Sequence, residues 1–139
     1  MHQVIAIYGH AQCGKSACIN YVRELLREGG ESLSSNPPYS GDKCETFRYK
    51  GQIICVCPGG DTKEVIKTNF NYAISKDADV VITGCRSKGA PVDWVEWYAN
   101  EYDATLIWKR KSVEYELSKE TQDLCNREYA RVIFEQLKN

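Results

Sequence analysis

Residues 9–16 of this chain read Gly-His-Ala-Gln-Cys-Gly-Lys-Ser, a complete G-x-x-x-x-G-K-S stretch, and they directly follow the apolar run Val4-Ile5-Ala6-Ile7-Tyr8. A buried strand, then this loop, then a helix is the context in which the pattern holds phosphate. Gly9 and Gly14 leave out side chains where the backbone must curl round an anion, so that successive amide N–H groups point inward. Lys15 then reaches the β/γ oxygens and Ser16 offers its hydroxyl to Mg²⁺. The helix starting here presents its positive dipole end to the same charge. The residues expected round a bound phosphate chain are therefore Gly9, His10, Ala11, Gln12, Cys13, Gly14, Lys15, Ser16 and Ala17.

With 139 residues the chain has room for one three-layer core, so residues 1–139 are read as a single domain. The 18 basic and 19 acidic residues nearly cancel, leaving a net charge of −1 and no global pull toward nucleic acid or an anionic membrane surface. Lys109-Arg110-Lys111 is a tight basic cluster, read as a solvated strand end. No run approaches the roughly 18 apolar residues of a membrane span, and the N-terminal apolar stretch is too short for a signal sequence, so a cytoplasmic location is expected. The seven cysteines are odd in number. Cys18, Cys55, Cys57, Cys85 and Cys125 fall in apolar-patterned segments, where thiols pack as small hydrophobes, so disulfides are not expected.

Hydrophobic periodicity divides the rest of the chain. A first helix is expected from Lys15 to about Glu28, with Ala17, Ile19, Val22, Leu25 and Leu26 facing inward. Residues 29–42, rich in Gly, Ser, Asn and Pro, read as a loop. Cys44 to Tyr49 and Gln52 to Cys57 form a hairpin across Lys50-Gly51. Asp61 and Glu64 fit the start of a helix that runs to about Lys76. A buried strand from Ala78 to Gly84, a helix from Val92 to Glu101 and a strand from Ala104 to Lys109 follow. The last helix, about Glu116 to Leu137, turns Leu117, Leu124, Ala130, Ile133 and Leu137 inward. Trp94, Trp97 and Tyr98 share one helical face, read as core. Strands alternating with helices imply an α/β/α sandwich with a mostly parallel, about five-stranded sheet and one antiparallel hairpin, its ligand at the carboxyl ends of the strands.

At that edge a carboxylate is needed to hold the metal's water shell. Asp61, just past Pro58-Gly59-Gly60, is the nearest acid, and it also suits a helix cap; the two roles are not exclusive. Arg86 follows the Ala78–Gly84 strand and offers a planar, forked donor to phosphate oxygens. Lys88 and Arg110 are further candidates. Lys15, Asp61 and Arg86 make up the expected catalytic set, and Ser16 and Asp61 the expected Mg²⁺ contacts.

These residues resemble the P-loop nucleoside triphosphate hydrolase superfamily, through Gly9 to Ser16 and the order of elements along the chain. Within it, the segments Val80 to Arg86, Val92-Asp93-Trp94 and Leu106 to Arg110 look like small nucleotide kinases. Those enzymes usually carry an acid shortly before the arginine, where this chain has Thr83 and Gly84. The order of loop, helix and hairpin over residues 9–61 is also similar to the GTPase-like branch, with Thr46 or Ser40 as a switch hydroxyl, although no Asn-Lys-x-Asp follows Thr83. The resemblance implies a Mg²⁺-dependent protein that binds a purine triphosphate, ATP ahead of GTP, with phosphoryl transfer or hydrolysis. The alternative is a non-enzymatic or partner-activated nucleotide switch.

Overall fold

The computed structural model describes residues 1–9, 14–35, 43–111 and 118–137. Its elements run β1 (Gln3–Tyr8), α1 (Lys15–Gly29), β2 (Glu31–Ser35), β3 (Glu45–Tyr49), β4 (Gln52–Cys57), α2 (Lys63–Ser75), β5 (Val80–Cys85), α3 (Ala90–Glu101), β6 (Thr105–Arg110) and α4 (Lys119–Gln136). The α/β class expected from the sequence is present.

Six strands form one sheet in the order β2-β3-β4-β5-β1-β6. The sheet is mixed, where about five mostly parallel strands were expected. β4, β5, β1 and β6 pair in parallel, and the β2–β3 and β3–β4 pairings are antiparallel. The extra strand is β2, which lies within residues 29–42, read above as a loop. Its Glu31-Ser32-Leu33 side chains are exposed, so no apolar alternation marks it, and main-chain pairing to β3 alone makes it a strand.

Side-chain alternation on β1 divides the core in two. Ile5 and Ile7 join Ile19, Val22 and Leu26 of α1 and Ala130 and Ile133 of α4 on one face. Val4 and Ala6 join Ile66, Phe70 and Ala73 of α2 and Val95, Tyr98 and Ala99 of α3 on the other. The connection after β1 thus leaves on one face and the connection after β5 on the other. That divergence opens a crevice at the carboxyl ends of two adjacent parallel strands, where open α/β sheets bind ligands.

Several expected side-chain positions change. Leu124 is 65% exposed rather than buried, Cys125 is exposed, and Ala17 faces out from the start of α1. Each lies near the amino end of a helix, where the apolar stripe has not yet reached the sheet. Leu117 lies outside the described residues. Of the aromatic triplet, Tyr98 is buried and stacks on Phe70 with ring centroids 4.6 Å apart, whereas Trp97 is 48% exposed. Lys111 is buried, not part of a solvated strand end, and its N–H donates to Tyr8 O at 2.7 Å. Among the described residues, no helix is long and apolar enough to cross a membrane.

Candidate phosphate-binding site

Gly14, directly before α1, adopts a left-handed conformation, φ +93°. An L side chain is strained there, which accounts for a glycine just ahead of the helix. α1 begins without a side-chain cap, and its first turn holds no acidic residue. α2 and α4, by contrast, are capped by the hydroxyls of Thr62 and Ser118. The first N–H groups of α1 therefore keep their capacity for an anion.

Lys15 is 9% exposed and folds back across the strand ends. Its Nζ donates to Gly9 O at 3.2 Å and to Cys85 O at 3.1 Å, joining the ends of β1 and β5. It also lies 3.5 Å from Asp61 Oδ1. Asp61 in turn meets Arg86 Nε at 3.8 Å. The three residues proposed from sequence as a catalytic set thus form one chain of charges, Lys15–Asp61–Arg86, although they lie on three separate connections. Asp61 is 61% exposed, so its carboxylate stays open to solvent and to a hydrated ion.

Asp61 is not the helix cap. Thr62 occupies that position, and its hydroxyl accepts from Val65 N at 3.2 Å. Asp61 and Thr62 are both good cap residues, so the sequence alone did not separate them. The shift by one residue leaves the Asp61 carboxylate facing Lys15.

A cavity of about 620 Å³ opens beside this group. The amino end of α1 contributes Gly14 to Ala17, the turn after β4 contributes Pro58 to Asp61, and α2 contributes Glu64, Val65, Thr68 and Asn69. Lys43 and Cys44 close one side, and Gly84 and Cys85 the floor. Burial pushes the Cys85 thiol up to about 11, so it meets the cavity uncharged at neutral pH. Ser16 is exposed and lines the same space as Asp61. Arg86 is exposed beyond the cavity lining, as are Lys88 and Arg110. His10, Ala11, Gln12, Cys13 and Ser40 lie outside the described residues. Thr46, weighed above as a switch hydroxyl, is buried in β3 with its Oγ1 bonded to Tyr72 Oη at 2.7 Å, and it does not reach the cavity.

The residues that hold the site in place were not legible as a motif. Asn69 Nδ2 donates to Gly59 O at 2.8 Å and to Thr83 Oγ1 at 3.0 Å, and the Thr83 hydroxyl reaches Gly84 O at 2.9 Å. Asn69 and Thr83 are both buried, so these bonds form in a low dielectric. The two glycines between them touch backbone to backbone. A Cβ on Gly60 would lie 1.9 Å from Gly84 O, and one on Gly84 would lie 2.5 Å from Pro58 O. One sequence signal did point here: Asn69 is a polar residue between Ile66 and Ala73 on the apolar face of α2.

Asp79, at the opposite end of β5, has a structural part only. Its Oδ2 accepts from Ile53 N at 2.8 Å and its main-chain oxygen from His2 and Gln3 N–H groups.

Comparison of the chain with known protein families, with characterised proteins and with solved structures returned no match.

A metal ion held by protein alone finds no cage here: among the described residues, no group of three or more His, Cys, Asp or Glu side chains converges. Ser16 and Asp61 place one hydroxyl and one open carboxylate on a shared cavity.

Proposed function

We propose that the protein binds a purine nucleoside triphosphate with Mg²⁺ at the crevice between β1 and β5 and transfers or hydrolyses its terminal phosphoryl group. ATP is the expected nucleotide ahead of GTP. The observation that carries this reading is the buried Lys15, whose ammonium sits among two carbonyls and a carboxylate at the foot of an uncapped helix. Phosphate oxygens are stronger acceptors than peptide carbonyls, so Lys15 gains by turning to them.

In this reading the N–H groups at the start of α1 and the Lys15 ammonium bind the β- and γ-phosphates. Ser16 and Asp61 would hold Mg²⁺, which would supply neutralisation of the phosphate charge. Asp61 orients a water through its exposed carboxylate. Arg86, already paired with Asp61, swings its guanidinium onto the oxygens where charge develops.

One observation favours a second reading, a nucleotide-dependent switch that turns over only with a partner. Thr83, near the end of the strand beside β1, is fully buried and its hydroxyl is committed to Asn69 and Gly84 O, so no carboxylate base stands there.

Phosphate release from MgATP and MgGTP, measured for the wild type and for Asp61→Asn, tests the enzyme. Loss of a residue that orients the metal's shell costs about 10–100-fold in affinity or activity. The expected result is turnover in the wild type and a loss of that size in the variant, with binding retained. Binding without turnover in the wild type favours the switch, and turnover unchanged by Asp61→Asn contradicts the role of Asp61.

A further inference from the structure

Cys44 directly precedes β3 and Cys57 is the last residue of β4. The antiparallel register of β3 with β4 pairs Glu45 with Val56, and continued by one residue it would set Cys44 opposite Cys57. Directly opposed residues of an antiparallel pair have Cα atoms about 4.5–5.5 Å apart, within the span a disulfide bridges. Both sulfurs also reach the same residue: Cys44 Sγ donates to Asn69 Oδ1 at 3.5 Å and Cys57 Sγ to Asn69 O at 3.9 Å. Cys55, the neighbouring thiol on β4, is opposite Thr46 and bonds its hydroxyl at 3.5 Å. Cys44 lines the cavity, which gives a small reagent access to one sulfur of the pair.

We infer that Cys44 and Cys57 form an oxidisable dithiol, with Cys44 as the sulfur that attacks hydrogen peroxide and Cys57 as the resolving thiol. Cys44 breaks the O–O bond, takes one oxygen as a sulfenic acid and releases the other as water, its own thiol proton completing that water. Cys57 then displaces the sulfenic oxygen as a second water and closes the S–S bond. The two thiols give up two electrons and two protons to the peroxide, so the step balances.

The surroundings assign these roles. Cys44 borders the cavity, whereas Cys57 is fully buried behind it. Burial raises the Cys57 thiol well above its ordinary range. A disulfide donates no hydrogen bond, so oxidation would remove both sulfur donors from Asn69, whose Nδ2 bonds to Gly59 O and Thr83 Oγ1 hold the turn before Asp61.

The test uses the full chain, purified in reductant, desalted and exposed to hydrogen peroxide, then alkylated and digested with trypsin without reduction. Mass spectrometry should find peptide 44–48 joined to peptide 51–63 with Cys55 alkylated, two hydrogens lighter than the sum of those two peptides with Cys44 and Cys57 as free thiols, and separated again by reductant. Fragmentation should assign the bond to Cys57, and the joined species should persist in Cys55→Ser and vanish in Cys57→Ser. Should Cys57→Ser fail to fold, the fragment assignment in the wild type decides alone. Cys44 recovered alkylated while other thiols are oxidised, or joined to Cys55 instead, would overturn the inference. Neither outcome depends on nucleotide binding.

Discussion

Two glycine-bearing segments lie at the same edge of the sheet, and they are built in opposite ways. The first, Gly14 to Ser16 at the start of α1, carries its chemistry in a contiguous stretch: a left-handed glycine, a lysine, a hydroxyl and a helix start. The second, Pro58 to Asp61 after β4, carries one acid and is held by residues far along the chain. Gly84 packs against Gly60, Asn69 reaches Gly59 from α2, and Thr83 ties Asn69 to the end of β5. The difference separates binding from support. On the proposed reading the first stretch is specified locally, because its ligand groups would be its own amides, whereas the turn that brings Asp61 to Lys15 exists only once β4, α2 and β5 have packed.

The comparison breaks most visibly at Gly60. In Gly60→Ala the added methyl meets the Gly84 backbone, which no side-chain rotation relieves. We expect a loss of about 3 kcal/mol or more in urea-induced unfolding. An unchanged midpoint would mean that the two backbones do not touch.

Asn69→Ala comes next. It removes the Asn69 donor from the Gly59 carbonyl, which keeps only the longer Thr83 contact at 3.4 Å, and from the Thr83 hydroxyl, and opens space among Ile66, Phe70 and Ala73, at a cost of about 2 kcal/mol. Because Asn69 holds the turn that carries Asp61, phosphate release should fall with it even at temperatures where the variant is fully folded. Lost stability with full turnover would separate the turn from the site.

Asp61→Asn is the smallest in stability. Its ion pairs at 3.5 and 3.8 Å lie at an exposed carboxylate, where such pairs are worth about 1 kcal/mol or less. Equilibrium unfolding should hardly move while phosphate release drops. A large loss of stability would instead mark Asp61 as part of the scaffold.

The same contrast explains what the sequence revealed. The buried strands β1 and β5 and the hairpin β3–β4 were legible from apolar runs and a turn, and Lys15, Asp61 and Arg86 from their expected positions at the strand ends. β2 was not, because its exposed Glu31-Ser32-Leu33 pairs through main chain and its identity rests on β3. The Thr62 cap was one residue from the expected Asp61, since both side chains suit that position. Asn69 was visible only as an anomaly, a polar residue on an apolar helix face, whose meaning depended on Gly59 and Thr83 arriving beside it. The inferred pairing of Cys44 with Cys57 likewise comes from continuing the strand register, which spacing alone does not reveal.

The central claim is that Lys15 exchanges its contacts with Gly9 O, Cys85 O and Asp61 for phosphate oxygens. It is tested most directly by calorimetric titration of MgATP and MgGTP into the wild type and Lys15→Ala, with circular dichroism to show that both are folded. The account predicts saturable binding of one triphosphate to the wild type and none to the folded variant. Equal affinity in the two proteins, or no triphosphate binding to the wild type, would contradict it.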